Sequence, residues 1–211
     1  MKKYIFLILI VVLAGCYTDT INKLETFSIQ VPIFFRAPFV DRSAPDTSVD
    51  FSNLFEYPEY DENRKRLARA EILQLNYRVD SLVYEDGTIF DPATDNLEFD
   101  YIRYSFQFAK PKFGKSIYSL DPDDFEPDPL EPRVVLGEYK DVVMRDYYRE
   151  ANKILDVPST TASVLSDGLK SRPYFFVYTE YSKVKGQTTD EFGFKLIKSN
   201  FDVILRLEVK L

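Results

Sequence analysis

The chain of 211 residues contains no histidine, no tryptophan and a single cysteine. Without histidine there is no Ser-His or Cys-His nucleophile system. The same gap removes imidazole-based zinc, copper and iron sites, and no second thiolate stands in for it. One cysteine cannot form a disulfide within the chain, so stability must come from packing. Glycine is also scarce, with 7 residues, and the net charge is -7. An acidic chain lacks the electrostatic footprint for a phosphate backbone, so no nucleic-acid partner is expected. What remains for chemistry is carboxylates, Tyr, Lys and Arg, and all-oxygen sites for calcium or magnesium. No cofactor is expected and the reading is non-enzymatic.

Aromatic residues are abundant, with 18 Phe and 15 Tyr. Hydrophobic residues make up 45% and charged residues 29%, ordinary globular usage. After the first 15 residues the chain is long enough for one domain with a proper core. The expected division is 1–15 as a signal peptide, 16–25 as a polar tether and 26–211 as one β-sandwich domain.

The amino terminus has three zones. Lys2 and Lys3 open it, Tyr4 to Leu13 form an uncharged apolar run, and Ala14 and Gly15 precede Cys16. That is the plan of a secretory signal. The run falls short of the ~20 apolar residues that span a bilayer. Leu13-Ala14-Gly15-Cys16 resembles the lipobox of bacterial lipoproteins. The resemblance covers residues 1–16 only. It implies that Cys16 is diacylated on sulfur, that the chain is cut before it, and that the new amine is acylated. The partner so implied is a membrane, held through acyl chains on Cys16, since two or more chains give lasting attachment. Tyr17 is not the Asp that retains lipoproteins at the inner membrane in the best-known sorting rule. The resemblance therefore implies an outer-membrane lipoprotein, facing either the periplasm or the surface.

The remainder reads as mainly β. Phe27, Ile29, Val31 and Ile33 alternate with polar residues, and Pro32 places that strand at an edge. Leu73, Leu75, Tyr77 and Val79 alternate in the same way, and Asp86-Gly87 lies between apolar runs as a type I′ hairpin signal. Further strands are expected at Ile102–Phe108, Val134–Leu136, Tyr174–Thr179, Phe192–Leu196 and Val203–Leu211, with turns at Gly186–Asp190 and Ser199-Asn200. Tyr174–Thr179 is apolar on both faces, so a central position is expected. One short helix is predicted over 141–155, capped by Asp141, with Val143, Tyr147, Ala151 and Ile154 on one face and Pro158 ending it. The fold class is an antiparallel β-sandwich, immunoglobulin-like or a half-open barrel.

Residues 35–60 read as an irregular flap with a short helix near Asp50–Phe55. Its aromatics Phe39, Phe51, Phe55, Tyr57 and Tyr60 form a candidate ligand or partner patch. Arg64, Lys65, Arg66 and Arg69 are the dense basic cluster. Residues 121–132 hold four prolines and read as an extended acidic loop. Asp121, Asp123, Asp124 and Asp128 in it are a candidate irregular calcium site. An EF-hand is excluded, because Glu126 stands where Gly belongs. Phe113-Gly114-Lys115-Ser116 has the ending of a P-loop, but Ala109 and Pro111 break the pattern. The functional expectation is a lipid-anchored envelope protein with an assembly or binding role, with an envelope protein as a further partner. The alternatives are a carbohydrate- or ligand-binding or adhesion lipoprotein using loops 35–60 and 112–132, and a hydrolase with carboxylate catalysis.

Overall fold

The computed structural model describes residues 26–37, 46–84, 86–182 and 194–210. Cys16 with the rest of 1–25, Phe39 and the turn expected at Gly186–Asp190 lie outside the described residues.

Nine strands are described: β1 (Thr26–Arg36), β2 (Asp46–Asn53), β3 (Leu67–Tyr84), β4 (Glu98–Pro111), β5 (Phe125–Pro127), β6 (Val134–Val143), β7 (Asn152–Asp156), β8 (Tyr174–Tyr181) and β9 (Phe194–Lys210). One sheet has the order β1-β9-β3-β7. The other has β2-β8-β4, with β6 and, further along, the short β5 pairing with β4. All the pairings are antiparallel. The expected mainly β, two-sheet sandwich is what the chain forms. Its winding is nested: β1 pairs with β9, β2 with β8, β3 with β7 and β4 with β6. A long hairpin rolled on itself in this way is a jelly roll.

Alternation sets the inner faces. On β9, Phe201, Val203, Leu205, Leu207 and Val209 are buried, and Asp202, Arg206 and Glu208 lie half-buried on the other face. On β1 the buried set is Val31, Ile33 and Phe35. Pro32 sits on the edge strand, as its missing N–H requires. Aromatic contacts stitch the two sheets, with Phe35 on Phe175 (6.2 Å) and Tyr104 on Phe201 (5.1 Å), while Phe35 on Phe201 (5.0 Å) and Phe106 on Phe175 (4.5 Å) pack within each sheet. Burying such a side chain contributes roughly 1.5–3 kcal/mol, so the Phe content replaces the absent disulfides. Tyr181 donates its hydroxyl to Ala37 O (2.8 Å), which lets a phenol sit fully inside. Burial pushes the neighbouring Tyr77 phenol up to about 12.

Several expectations are corrected. The helix is not at 141–155 but at Ser159–Ser171, with Pro158 at its start. Residues 134–143 instead complete the ladder along β4, and Asp141, the expected cap, takes φ 54 within β6. Valines at 134, 135, 142 and 143 fit a pleated sheet, and the open side of β4 outweighs helical spacing. Asn152–Asp156 pairs with β3, so Ile154 is buried from a strand. Ser199-Asn200 does not turn the chain. β9 runs straight through, and the Ser199 hydroxyl donates to Ala37 O in the core. The acidic stretch 121–132 is not all loop, because Phe125–Pro127 joins β4 with Phe125 buried. Asp50 to Asn53 is strand, and helical turns begin only at Leu54. At Asp86-Gly87 the chain does reverse, but only Gly87 has positive φ (87°). Gly87 N–H donates to Tyr84 O, and Tyr84 N–H to Thr88 O. That is a three-residue loop with its left-handed residue last, not a type I′ turn.

Two α-helices are found among the described residues: α1 (Pro58–Asp61) and α2 (Ser159–Ser171). α2 buries Ala162, Leu165, Ser166 and Leu169, and the Ser166 Oγ accepts from Ala70 N–H (3.3 Å) on β3. Pairing fixes the ends of the sandwich. Thr26 lies opposite Lys210, and Leu67 opposite Val209. The segments 54–66, 112–124 and 157–173 connect strands at this same end, while the Tyr84–Thr88 turn lies at the other.

Candidate functional site

The aromatic patch expected from sequence divides. Phe51 lies on β2 and packs on Phe125 (4.7 Å) and Phe176 (5.3 Å). Tyr57 is half-buried, and desolvation with the adjacent Glu56 charge raises its phenol well above the usual range. Tyr60 is buried, and its hydroxyl donates to Leu169 O (3.0 Å), tying α1 to α2. Of the described members, Phe55 and Tyr60 line an open cleft.

That cleft has a volume of ≈ 400 Å³ and is lined by Phe55, Tyr60, Arg64, Lys65, Ile117, Lys170, Ser171 and Pro173. Local sequence builds each wall. Asn53 ends β2 and accepts Phe55 N–H on its Oδ1 (3.2 Å), starting a tight helical turn. Pro58, with φ preset and no N–H to satisfy, opens α1. A further single turn, Arg64–Arg66, turns Arg64 back over the ring of Phe55, 5.2 Å from its centroid. The opposite wall comes from the loop after β4. Asn53 Nδ2 donates to Ile117 O (2.9 Å) and Ser119 O (2.8 Å), which fixes Tyr118 against Phe55 with centroids 4.7 Å apart. The tie spans more than sixty positions of sequence, so nothing local announces it.

Arg64 is the hinge of this arrangement. It donates to the Tyr118 hydroxyl (3.4 Å), lies 5.9 Å from that ring, and pairs with Asp61 (3.4 Å). The hydrogen bond to Tyr118 raises the guanidinium above its usual range. Lys170 reaches Asp167 (3.7 Å). Lys65 is exposed and has no ion pair among the described residues. The cleft therefore offers an aromatic face, three cations and the Ser171 hydroxyl, a set suited to stacking and to holding an anion. Arg66 bonds to Asn63 (2.9 Å) and Arg69 pairs with the buried Glu71 (2.5 Å), so the basic cluster does not act as one face.

Three of the four aspartates of 121–128 have other work. Asp121 caps its own turn by accepting Asp123 N–H (2.9 Å), Asp124 pairs with Lys115 (2.5 Å) and accepts from Ser119 (2.6 Å), and Asp128 accepts Leu130 N–H (3.1 Å). Hydrogen bonding from Lys115 and then Ser119 lowers the Asp124 carboxyl below the usual range. Among the described residues no group of three or more carboxylates converges on a metal-sized site. Sequence reading missed Tyr118, Lys170 and Asn53. The signal available was a polar loop carrying Phe113, Ile117, Tyr118 and Leu120 at once.

No family model and no curated protein sequence matches the chain. Among solved structures, a chain from Desmodium yellow mottle tymovirus aligns over 88% of this chain and 83% of its own. It has 12% identity and a TM-score of 0.22, a likeness too slight to carry an argument. The class defined by the strand order alone is a jelly-roll sandwich with a loop-built cleft at one end.

Proposed function

We propose that this protein is a lipid-anchored component of the cell envelope, held in the outer membrane, whose jelly-roll domain binds a ligand or a partner protein without catalysing a reaction. Leu13-Ala14-Gly15-Cys16 behind an uncharged run supports the anchor. One observation carries the binding role: residues 54–66 and 112–120, distant in sequence, are tied by Asn53 into a single open cleft floored by rings and edged by cations. A fold of this kind hosts many functions, so the cleft bears the reading and the fold does not.

A saccharide or similar small ligand is the second reading. The half-exposed ring of Tyr118 supports it, since a phenol combines a flat apolar face with a polar tip.

The test uses cells producing the full, tagged chain and fed an alkyne fatty acid. Cys16 carries the label in the wild type, and Cys16→Ser abolishes it and accumulates uncut precursor. Unchanged labelling refutes the anchor. Affinity purification from membranes then compares wild type with Arg64→Ala and Tyr118→Ala. Loss of one co-purifying species from both variants supports the cleft, and identical recovery refutes it.

A further inference from the structure

Phe113 is fully exposed, at 105% of its reference area, at the tip of a tight turn closed by Lys115 N–H donating to Lys112 O (3.0 Å). Gly114 makes that turn possible with φ +78, a conformation that a side chain disfavours. Tyr118 and Leu120 on the same loop are 54% and 56% exposed. A large ring held out into water on a shaped turn costs hydration free energy unless something covers it.

Topology says which way it faces. β2 and β4 run in the same direction, because both pair antiparallel with β8. β2 leads through 54–66 to Leu67, which lies beside Val209 and hence beside the Thr26 end of β1. The loop after β4 thus projects from the end of the sandwich at which the chain leaves toward Cys16. Nine residues separate Cys16 from Thr26, so an extended tether reaches at most ~35 Å. At the base of the turn one lysine is ion-paired and the other is held by a backbone carbonyl. Lys112 donates to Asp123 O (2.7 Å) and Lys115 pairs with Asp124 (2.5 Å). An apolar tip flanked by two lysines suits a headgroup layer, with the lysine stems able to lie along it and their ammonium groups among the phosphates.

We propose that the Lys112–Leu120 loop is a second membrane contact, with Phe113 entering the interfacial layer of the bilayer to which Cys16 is attached. This rests on the anchoring proposed above, and the lipid anchor and the loop together fix the domain's orientation, with the cleft turned toward the membrane.

The chain has no tryptophan, so one introduced indole reports one place. Full-length acylated protein carrying Phe113→Trp is reconstituted in phosphatidylcholine vesicles and compared with Ile89→Trp, whose site is 67% exposed beside the turn at the opposite end. The expected result is blue-shifted emission for Phe113→Trp that is lost when the lipids are brominated along their acyl chains, with Ile89→Trp unaffected. Emission from Phe113→Trp that is fully solvated and unquenched overturns the proposal, as does equal quenching at both positions. Flotation of the same samples separates the two claims. Protein that floats but is not quenched keeps its anchor and lacks the wedge. Protein that does not float refutes the anchor and the proposal with it. Unquenched emission accompanied by cross-linking of the loop to an envelope protein in cells assigns the surface to that protein instead.

Discussion

The ring of Phe108 on β4 lies over Gly168 of α2 so closely that a Cβ at 168 would sit 2.1 Å from its Cζ. A mid-helix glycine ordinarily costs about 1 kcal/mol relative to alanine. Here it is what lets the helix settle on the sheet next to the cleft.

Gly168→Ala is therefore expected to destabilise the domain by roughly 1–3 kcal/mol, against its gain in helix propensity, because Phe108 must leave its place. Urea unfolding with an unchanged m-value checks this. A stabilised variant would show that the helix shifts freely.

Asn53 is 1% exposed and makes three hydrogen bonds, two as donor to Ile117 O and Ser119 O and one as acceptor from Phe55 N–H. Asn53→Ala should cost about 2–3 kcal/mol at roughly one per bond lost, and should release the 116–119 amides to rapid hydrogen exchange. If those amides keep their protection, the cleft is assembled by Phe55 and Tyr118 alone.

The Lys115–Asp124 pair gives the Phe113 turn an acid limit. The folded carboxyl titrates below its unfolded value of ~3.9, so its contribution is complete above that value. It is lost as pH falls through the lower, folded pKa. The loop should keep its order to below about pH 4 and loosen beneath it. Lys115→Ala removes the largest cause, and should return the Asp124 carboxyl toward the ordinary range and move the loosening to higher pH. Carboxyl NMR titration reads both. An unmoved Asp124 would mean that Ser119 does the holding.

Period two was legible wherever a strand had one wet face. β1 and the Val203–Lys210 part of β9 stand nearly as their alternation predicts, and Tyr174–Thr179 lies in an interior strand, as residues apolar on both faces require. The helix was misplaced by one ambiguous residue. Pro158 fits the end of a helix over 141–155, yet proline's fixed φ starts one equally well. Ala162, Leu165 and Leu169 carried the helical spacing among weak helix formers, Ser, Thr and Gly. The cleft was half legible. Phe55, Tyr60 and Arg64 stood out by composition, but Tyr118 and Asn53 meet only through a contact that no short window contains.

Because β1 zips against β9, the sheet that holds them cannot be completed until residue 210 is available to face residue 26. Contacts this distant in the chain make folding slow and late. A polypeptide built this way gains its sandwich only after nearly all of it has been synthesised, so strand edges wait unpaired until the final segment arrives.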